Sequence, residues 1–223
     1  MLRRLTELPG LESQPDLSPD GRQLVYSSAA SGNLDVFLMR TDGGRAINIT
    51  ASSYADDEQA AFSPDGERLV FRSSRDGGGL FLMGATGESV RRLTDGGFDP
   101  AWSPDGKRIA YWANTSGQRD LWTVGVEGGE PAAVTADLAT DWSPEWSPDG
   151  RWLYFASDRR APPVSPDAGR RSHAPTSAYA APPIPALVQT LPGRRVDCLR
   201  DDRHARGSRP AACRRIGAAP ADR

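Results

Sequence analysis

Cysteine is almost absent from this chain: the two present, Cys198 and Cys213, stand 15 residues apart and outside any Cys-x-x-Cys pair. That spacing lacks the zinc pattern, and unpaired thiols are the reading it favours. Histidine is as scarce, with His173 and His204 both beyond residue 160. A nucleophilic triad needs a base, usually His, aimed at Ser or Cys. No Gly-x-Ser-x-Gly elbow is present either, so the chain is expected not to be an enzyme and no catalytic, cofactor or metal residue is assigned. No run of about 18 apolar residues offers a membrane span, and residues 1–15 lack the apolar core of a secretory signal. Charge of one sign is also missing: 27 basic and 29 acidic residues leave a net −2, which gives no reason to expect nucleic acid. Lys107 is the single lysine against 26 arginines, which suggests a GC-rich genome.

What the chain has is a repeat. Ser-Pro-Asp-Gly begins at Ser18, Ser63, Ser103 and Ser147, at intervals of 45, 40 and 44 residues. A period of about 40–45 fits one four-stranded propeller blade. Helical repeats of similar length need long 3.6-periodic stretches, and none is seen. Each tetrapeptide carries the same flanks in phase. Before it come Asp16-Leu17, Ala61-Phe62, Ala101-Trp102 and Glu145-Trp146. After it come Leu24-Val25-Tyr26, Leu69-Val70-Phe71, Ile109-Ala110-Tyr111 and Leu153-Tyr154-Phe155. About 17 residues from the Ser a third run follows, at Asp35–Leu38, Leu80–Leu82 and Asp120–Trp122, and Thr50, Thr94 and Thr135 close the full repeats. Short β-branched and aromatic runs between turn residues predict a meander of four strands.

The turns can be read chemically. Pro fixes φ at the second position of Ser-Pro-Asp-Gly, Asp suits the third, and Gly accepts the positive φ that ends a type I turn with a bulge. Asp20, Asp65, Asp105 and Asp149 are thereby explained without a ligand. Asp42-Gly43-Gly44 and Glu127-Gly128-Gly129 are expected to turn between third and fourth strands. The unbroken apolar character of the second strands predicts burial on both faces.

These residues resemble the TolB-like, WD-repeat-like propeller family over roughly residues 2–158. The four Ser-Pro-Asp-Gly turns carry the resemblance, with segments such as Ser73-Ser74-Arg75-Asp76-Gly77 followed by Leu80-Phe81-Leu82-Met83. It implies an all-β propeller of four-stranded antiparallel blades, about three and a half of them, with a binding surface. Similar blades occur in periplasmic TolB, in sensor halves of bacterial kinases and winged-helix regulators, and ahead of the hydrolase domain of prolyl-oligopeptidase-like peptidases. The resemblance does not choose among these hosts; a periplasmic setting follows only from the first.

Residues 1–160 are expected to hold the repeats, with blades near 14–50, 59–94, 99–135 and 143–158. Leu2-Arg3-Arg4-Leu5-Thr6 matches Val90-Arg91-Arg92-Leu93-Thr94, so the sequence opens on a fourth strand. Ring closure and truncation of a longer propeller both account for that. The expected third strand of the last blade, near 164–168, contains Pro166, which argues against a central strand. An incomplete ring exposes blade edges and predicts self-association. Closure with the help of residues 2–6 and 184–191 predicts a compact monomer instead. From residue 161 to 223, Ala, Pro and Arg supply 34 of 63 residues. That tail is expected to be disordered, as a genuine linker or as an out-of-frame extension.

Two clusters remain as candidate sites. Asp56-Asp57-Glu58 offers oxygen ligands for calcium but lacks the loop spacing of a calcium site, so a solvated inter-blade loop is favoured. Among the tryptophans, Trp102, Trp122 and Trp146 take repeat positions held by Leu17, Phe37 and Phe62, which predicts core packing. Trp112 and Trp142 lack such equivalents and are the candidate binding residues. The expected function is a non-catalytic module that binds a protein or peptide, with a severed peptidase propeller or a sensor domain as alternatives. The acidic excess of the repeat region favours a basic partner.

Overall fold

A computed structural model describes residues 5–6, 10–115 and 117–158. The tail lies outside the described residues, with both cysteines, both histidines, the expected strand near 164–168 and residues 184–191.

The described chain is an all-β series of antiparallel sheets. β1 (Glu12–Leu17), β2 (Gln23–Ser28), β3 (Asp35–Arg40) and β4 (Ile47–Asn48) form the first, hydrogen-bonded in sequence order. The second comprises β5 (Asp57–Phe62), β6 (Arg68–Ser73), β7 (Gly79–Gly84) and β8 (Arg91–Arg92). The third comprises β9 (Phe98–Trp102), β10 (Arg108–Ala113), β11 (Asp120–Gly125) and β12 (Ala132–Ala133). β13 (Asp141–Trp146) and β14 (Leu153–Ser157) pair as the first half of a fourth.

All four Ser-Pro-Asp-Gly turns have one geometry. The Ser hydroxyl donates to the Asp carboxylate two residues on at 2.5–2.6 Å and accepts the amide of residue i+5 at 2.9 Å. The Gly amide donates to the Ser carbonyl, and the four glycines have φ between +68° and +76°. Each Asp therefore serves its own turn. The Ser hydroxyl is the main reason that Asp20, Asp65, Asp105 and Asp149 all have lowered pKa values.

The fourth strands are shorter than the first three because the repeat Thr replaces the ladder. The Thr50, Thr94 and Thr135 hydroxyls are buried and accept the amides of Val36, Leu80 and Leu121 at 3.0, 3.1 and 2.9 Å. A side chain thus satisfies a buried donor where pairing stops.

The second strands of the first three sheets are buried on both faces, and Leu69, Val70 and Phe71 have no exposed surface; β14 departs from the expectation, with Tyr154 39% exposed where no third strand is described beside it. Val25, Val36 and Leu38 of the first sheet pack with Phe62, Leu69, Phe71, Phe81 and Met83 of the second. Val70, Leu80 and Leu82 pack in turn with Trp102, Ile109, Tyr111 and Val124 of the third. Each interface therefore buries several large side chains, at about 1.5–3 kcal/mol apiece, which locks neighbouring blades in place.

Candidate functional site: a groove on the inner strands

The first strand of each blade is built around a bulge. Four residues before each repeat Ser stand Gln14, Gln59, Asp99 and Ser143, with φ of +52°, +56°, +48° and +50°. Each lies where the pairing register of its strand shifts. Non-glycine residues in this region cost of order 1–3 kcal/mol each, so four in phase need compensation. Bonds between blades provide it. Gln14 Oε1 accepts the Gln59 amide at 3.2 Å, and Gln59 Oε1 accepts the Asp99 amide at 3.1 Å. Gln59 Nε2 donates to Asp99 Oδ1 at 2.7 Å, and the Ser143 hydroxyl donates to Asp99 Oδ2 at 3.2 Å. Pro15, Pro100 and Pro144 follow three of the four residues; a sheet's edge strand tolerates Pro because its outward amide has no ladder partner to lose.

These strands line a groove of about 520 Å³. Asp16, Asp99 and Glu145 are among its lining residues, and none of the lining residues is basic. Asp16 Oδ2 accepts the Phe62 amide at 2.8 Å, and burial raises the Asp16 pKa against that bond. Trp102 Nε1 donates to the Ala61 carbonyl at 3.0 Å and Trp146 Nε1 to the Ala101 carbonyl at 3.2 Å, pinning both indoles to the preceding blade. Leu17 lines the same groove and is 52% exposed. The result is a preformed concavity of proline and aromatic surface carrying carboxylates.

Trp112 and Trp142 do not line the groove. Trp112 is half-buried in β10, where it stacks on Phe98 at 4.2 Å and 12° and donates Nε1 to Asp99 Oδ2 at 2.9 Å. Guanidinium groups extend the stack, with Arg72 4.4 Å from the Phe98 ring and Arg119 4.6 Å from that of Trp112. Trp112 therefore acts on the groove indirectly, by orienting Asp99. Trp142 is half-buried in β13 opposite Ala156. It does have an apolar equivalent, since Phe98 precedes Ser103 by the same five residues that separate Trp142 from Ser147.

The acidic cluster also differs from a solvated loop. Asp57 is fully buried, with Oδ2 2.6 Å from Arg75 Nη2, and Glu58 Oε1 lies 2.6 Å from Arg72 Nη1. Only Asp56 is exposed. Burial raises the Asp57 pKa, while Ser73 and Arg75 pull it down and Asp35 pushes it up. Missed altogether in the sequence were the bulge residues; their phase with the repeat Ser was the signal available.

Four-stranded meander blades, each with the same turn between its first and second strands and presenting its first strand to one groove, define a β-propeller repeat protein. Comparison then fixes the family: the model of the TolB beta propeller domain matches residues 2–99 and 97–164, and the chain belongs to that family. A protein TolB homolog of Chlorobium luteolum is 31% identical over 142 residues, covering 62% of this chain and 32% of the relative. The uncharacterized peptidase YuxL of Bacillus subtilis is 29% identical over 156 residues, covering 66% of this chain and 22% of the peptidase. The crystal structure of TolB from Acinetobacter baumannii superposes with a TM-score of 0.59 at 28% identity, covering 67% of this chain and 38% of that one. The matches span between 22 and 55% of the length of these and another curated relative, an uncharacterized protein of Agrobacterium fabrum.

Proposed function

We propose that the chain is a non-catalytic binding module whose inner-strand groove takes a basic segment of a protein or peptide. The observation that carries this reading is the lining: Asp16, Asp99 and Glu145 share one groove with no lysine or arginine among the lining residues. A concave surface of one sign concentrates groups of the other and turns away polyanions. The bulges hold the site rigid, so little ordering entropy opposes binding.

Two synthetic peptides of equal length, one arginine-rich and one glutamate-rich, test the reading through tryptophan emission. The basic peptide is expected to bind, more weakly as salt screens the attraction. Glu145→Lys should reduce that affinity a few-fold, on the scale of about 0.2–1 kcal/mol for an exposed pair. Equal affinity for both peptides rejects the proposal, and turnover of a substrate by the purified chain rejects its non-catalytic part. A second reading, the propeller domain of a prolyl-oligopeptidase-like peptidase, draws support from the 29% identity to YuxL. It predicts a hydrolase domain encoded beside these repeats.

A further inference from the structure

The position two residues before each repeat Ser holds Asp16, Ala61, Ala101 and Glu145, and all four line the groove. Asp16 reaches across to the next blade, where its Oδ2 accepts the Phe62 amide at 2.8 Å. Trp102 and Trp146 take the repeat position of Phe62 in the third and fourth sheets. The preceding blades present Ala61 and Ala101 there instead, and a methyl group accepts no hydrogen bond. The direction of the two tryptophan amides follows from strand pairing. Ser63, Ser103 and Ser147 donate their amides to the carbonyls of Arg68, Arg108 and Trp152 on the second strands, at 2.9, 2.9 and 2.8 Å. Successive residues of an antiparallel strand turn their amides to opposite sides, so the residue before each Ser directs its amide away from the second strand and into the groove. Phe62 does so, as its bond to Asp16 shows. Trp102 and Trp146 do so with no amide acceptor among the described residues. Trp102 is only 9% exposed, and a backbone donor shielded from bulk water needs an acceptor.

We propose that the Trp102 and Trp146 amides bind main-chain carbonyl oxygens of the groove's peptide ligand, in the manner of the Asp16 carboxylate against Phe62. The proposal rests on the reading of the groove as a site for a basic segment, and adds the contact that fixes the segment's backbone. The acceptor is a neutral carbonyl and not a carboxylate, because Asp16, Asp99 and Glu145 line the same groove and oppose an anion. Alternate carbonyls of an extended segment face the same side. One segment therefore serves both amides while its basic side chains reach Asp16 and Glu145. Main-chain bonds supply affinity for any extended sequence, and the carboxylates select the basic ones.

The test uses the isotopically labelled full chain with the arginine-rich peptide as probe. On saturation the backbone amide protons of Trp102 and Trp146 should move downfield and exchange with solvent more slowly, while that of Phe62, already bonded to Asp16, keeps its place. Ala61→Asp and Ala101→Asp each supply the carboxylate that Asp16 supplies to Phe62, and so cap one tryptophan amide from within. Each should weaken the peptide about two- to tenfold, the worth of one net hydrogen bond. Each also adds a negative charge, which on electrostatics alone strengthens binding of a basic ligand. The two accounts therefore differ in sign. Ala61→Asn offers a neutral oxygen of the same reach and should weaken the peptide likewise. Amide signals of the unsubstituted chain decide the matter even where a variant fails to fold. If the arginine-rich peptide binds while both tryptophan amides stay in place, the amide contact is overturned and the groove still takes a basic segment by charge. Tighter binding by Ala61→Asp and Ala101→Asp overturns it in the same way. If that peptide does not bind, or the glutamate-rich one binds equally, both readings fail.

Discussion

Arg75 pairs with a carboxylate that has no exposed surface, and its removal has a calculable effect. Its Nη2 lies 2.6 Å from Asp57 Oδ2, its Nε donates to the Ser73 hydroxyl at 2.8 Å, and its guanidinium lies 5.4 and 5.3 Å from the Phe71 and Phe81 rings. Asp57 has no exposed surface, and Asp35 adds a like charge nearby. Arg75→Met keeps much of the volume while leaving that carboxylate uncompensated. Breaking a buried pair from one side costs about 3–5 kcal/mol, a large part of a typical stability of roughly 5–15 kcal/mol. With a urea slope of about 2 kcal/mol/M, the midpoint should fall by about 2 M. The sign of the pH dependence follows from the raised Asp57 pKa. A raised folded-state pKa contributes stability below the unfolded value, about 3.9, and that contribution is lost as pH rises through the folded value. Removing the cation raises the Asp57 pKa further. The variant's deficit should therefore be small near pH 4 and grow toward pH 7. Asp57→Asn in the Arg75→Met background should recover much of the loss, giving strong non-additivity. Urea unfolding followed by circular dichroism at several pH values decides it. A deficit independent of pH, with strictly additive single changes, would refute the buried-pair account and leave Arg75 as packing alone.

Thr94→Val removes a buried hydroxyl without changing volume and strands the Leu80 amide, so a loss of about 1–3 kcal/mol is expected from denaturation midpoints. The turn aspartates predict acid behaviour. With pKa values lowered by Ser hydrogen bonds, their contribution is full above the unfolded value and lost as pH falls through the folded ones. Asp65→Asn should accordingly flatten the acid limb of a stability profile between pH 5 and 2.

The turns were legible because their chemistry is local: Pro, Asp and Gly each satisfy one dihedral or bond within five residues. The second strands were legible because an unbroken apolar run has few homes in a sheet. Gln14, Gln59, Asp99 and Ser143 were not, because a left-handed bulge residue has no propensity signature when bonds from the neighbouring blade impose it. Asp57 was misjudged for a related reason. A charged triplet beside a turn signals solvent, and only the fold brings Arg75, 18 residues away, against it. Trp112 and Trp142 stood out as breaks in the repeat, yet Phe98 and the Arg72 and Arg119 guanidinium groups make Trp112 part of a layered stack that no spacing rule announces.

The central claim is that the inner-strand groove receives a basic segment, and the indole N–H signals of the groove report on it directly. Trp102 and Trp146 each donate to a fixed carbonyl at the groove wall, and Trp112 donates to Asp99. Titrating the isotopically labelled full chain with an arginine- and proline-containing peptide should shift these three signals together, saturably and less at high salt, and leave that of Trp122 in place. Binding that moves Trp122 while leaving Trp102 and Trp146 unchanged would contradict the account.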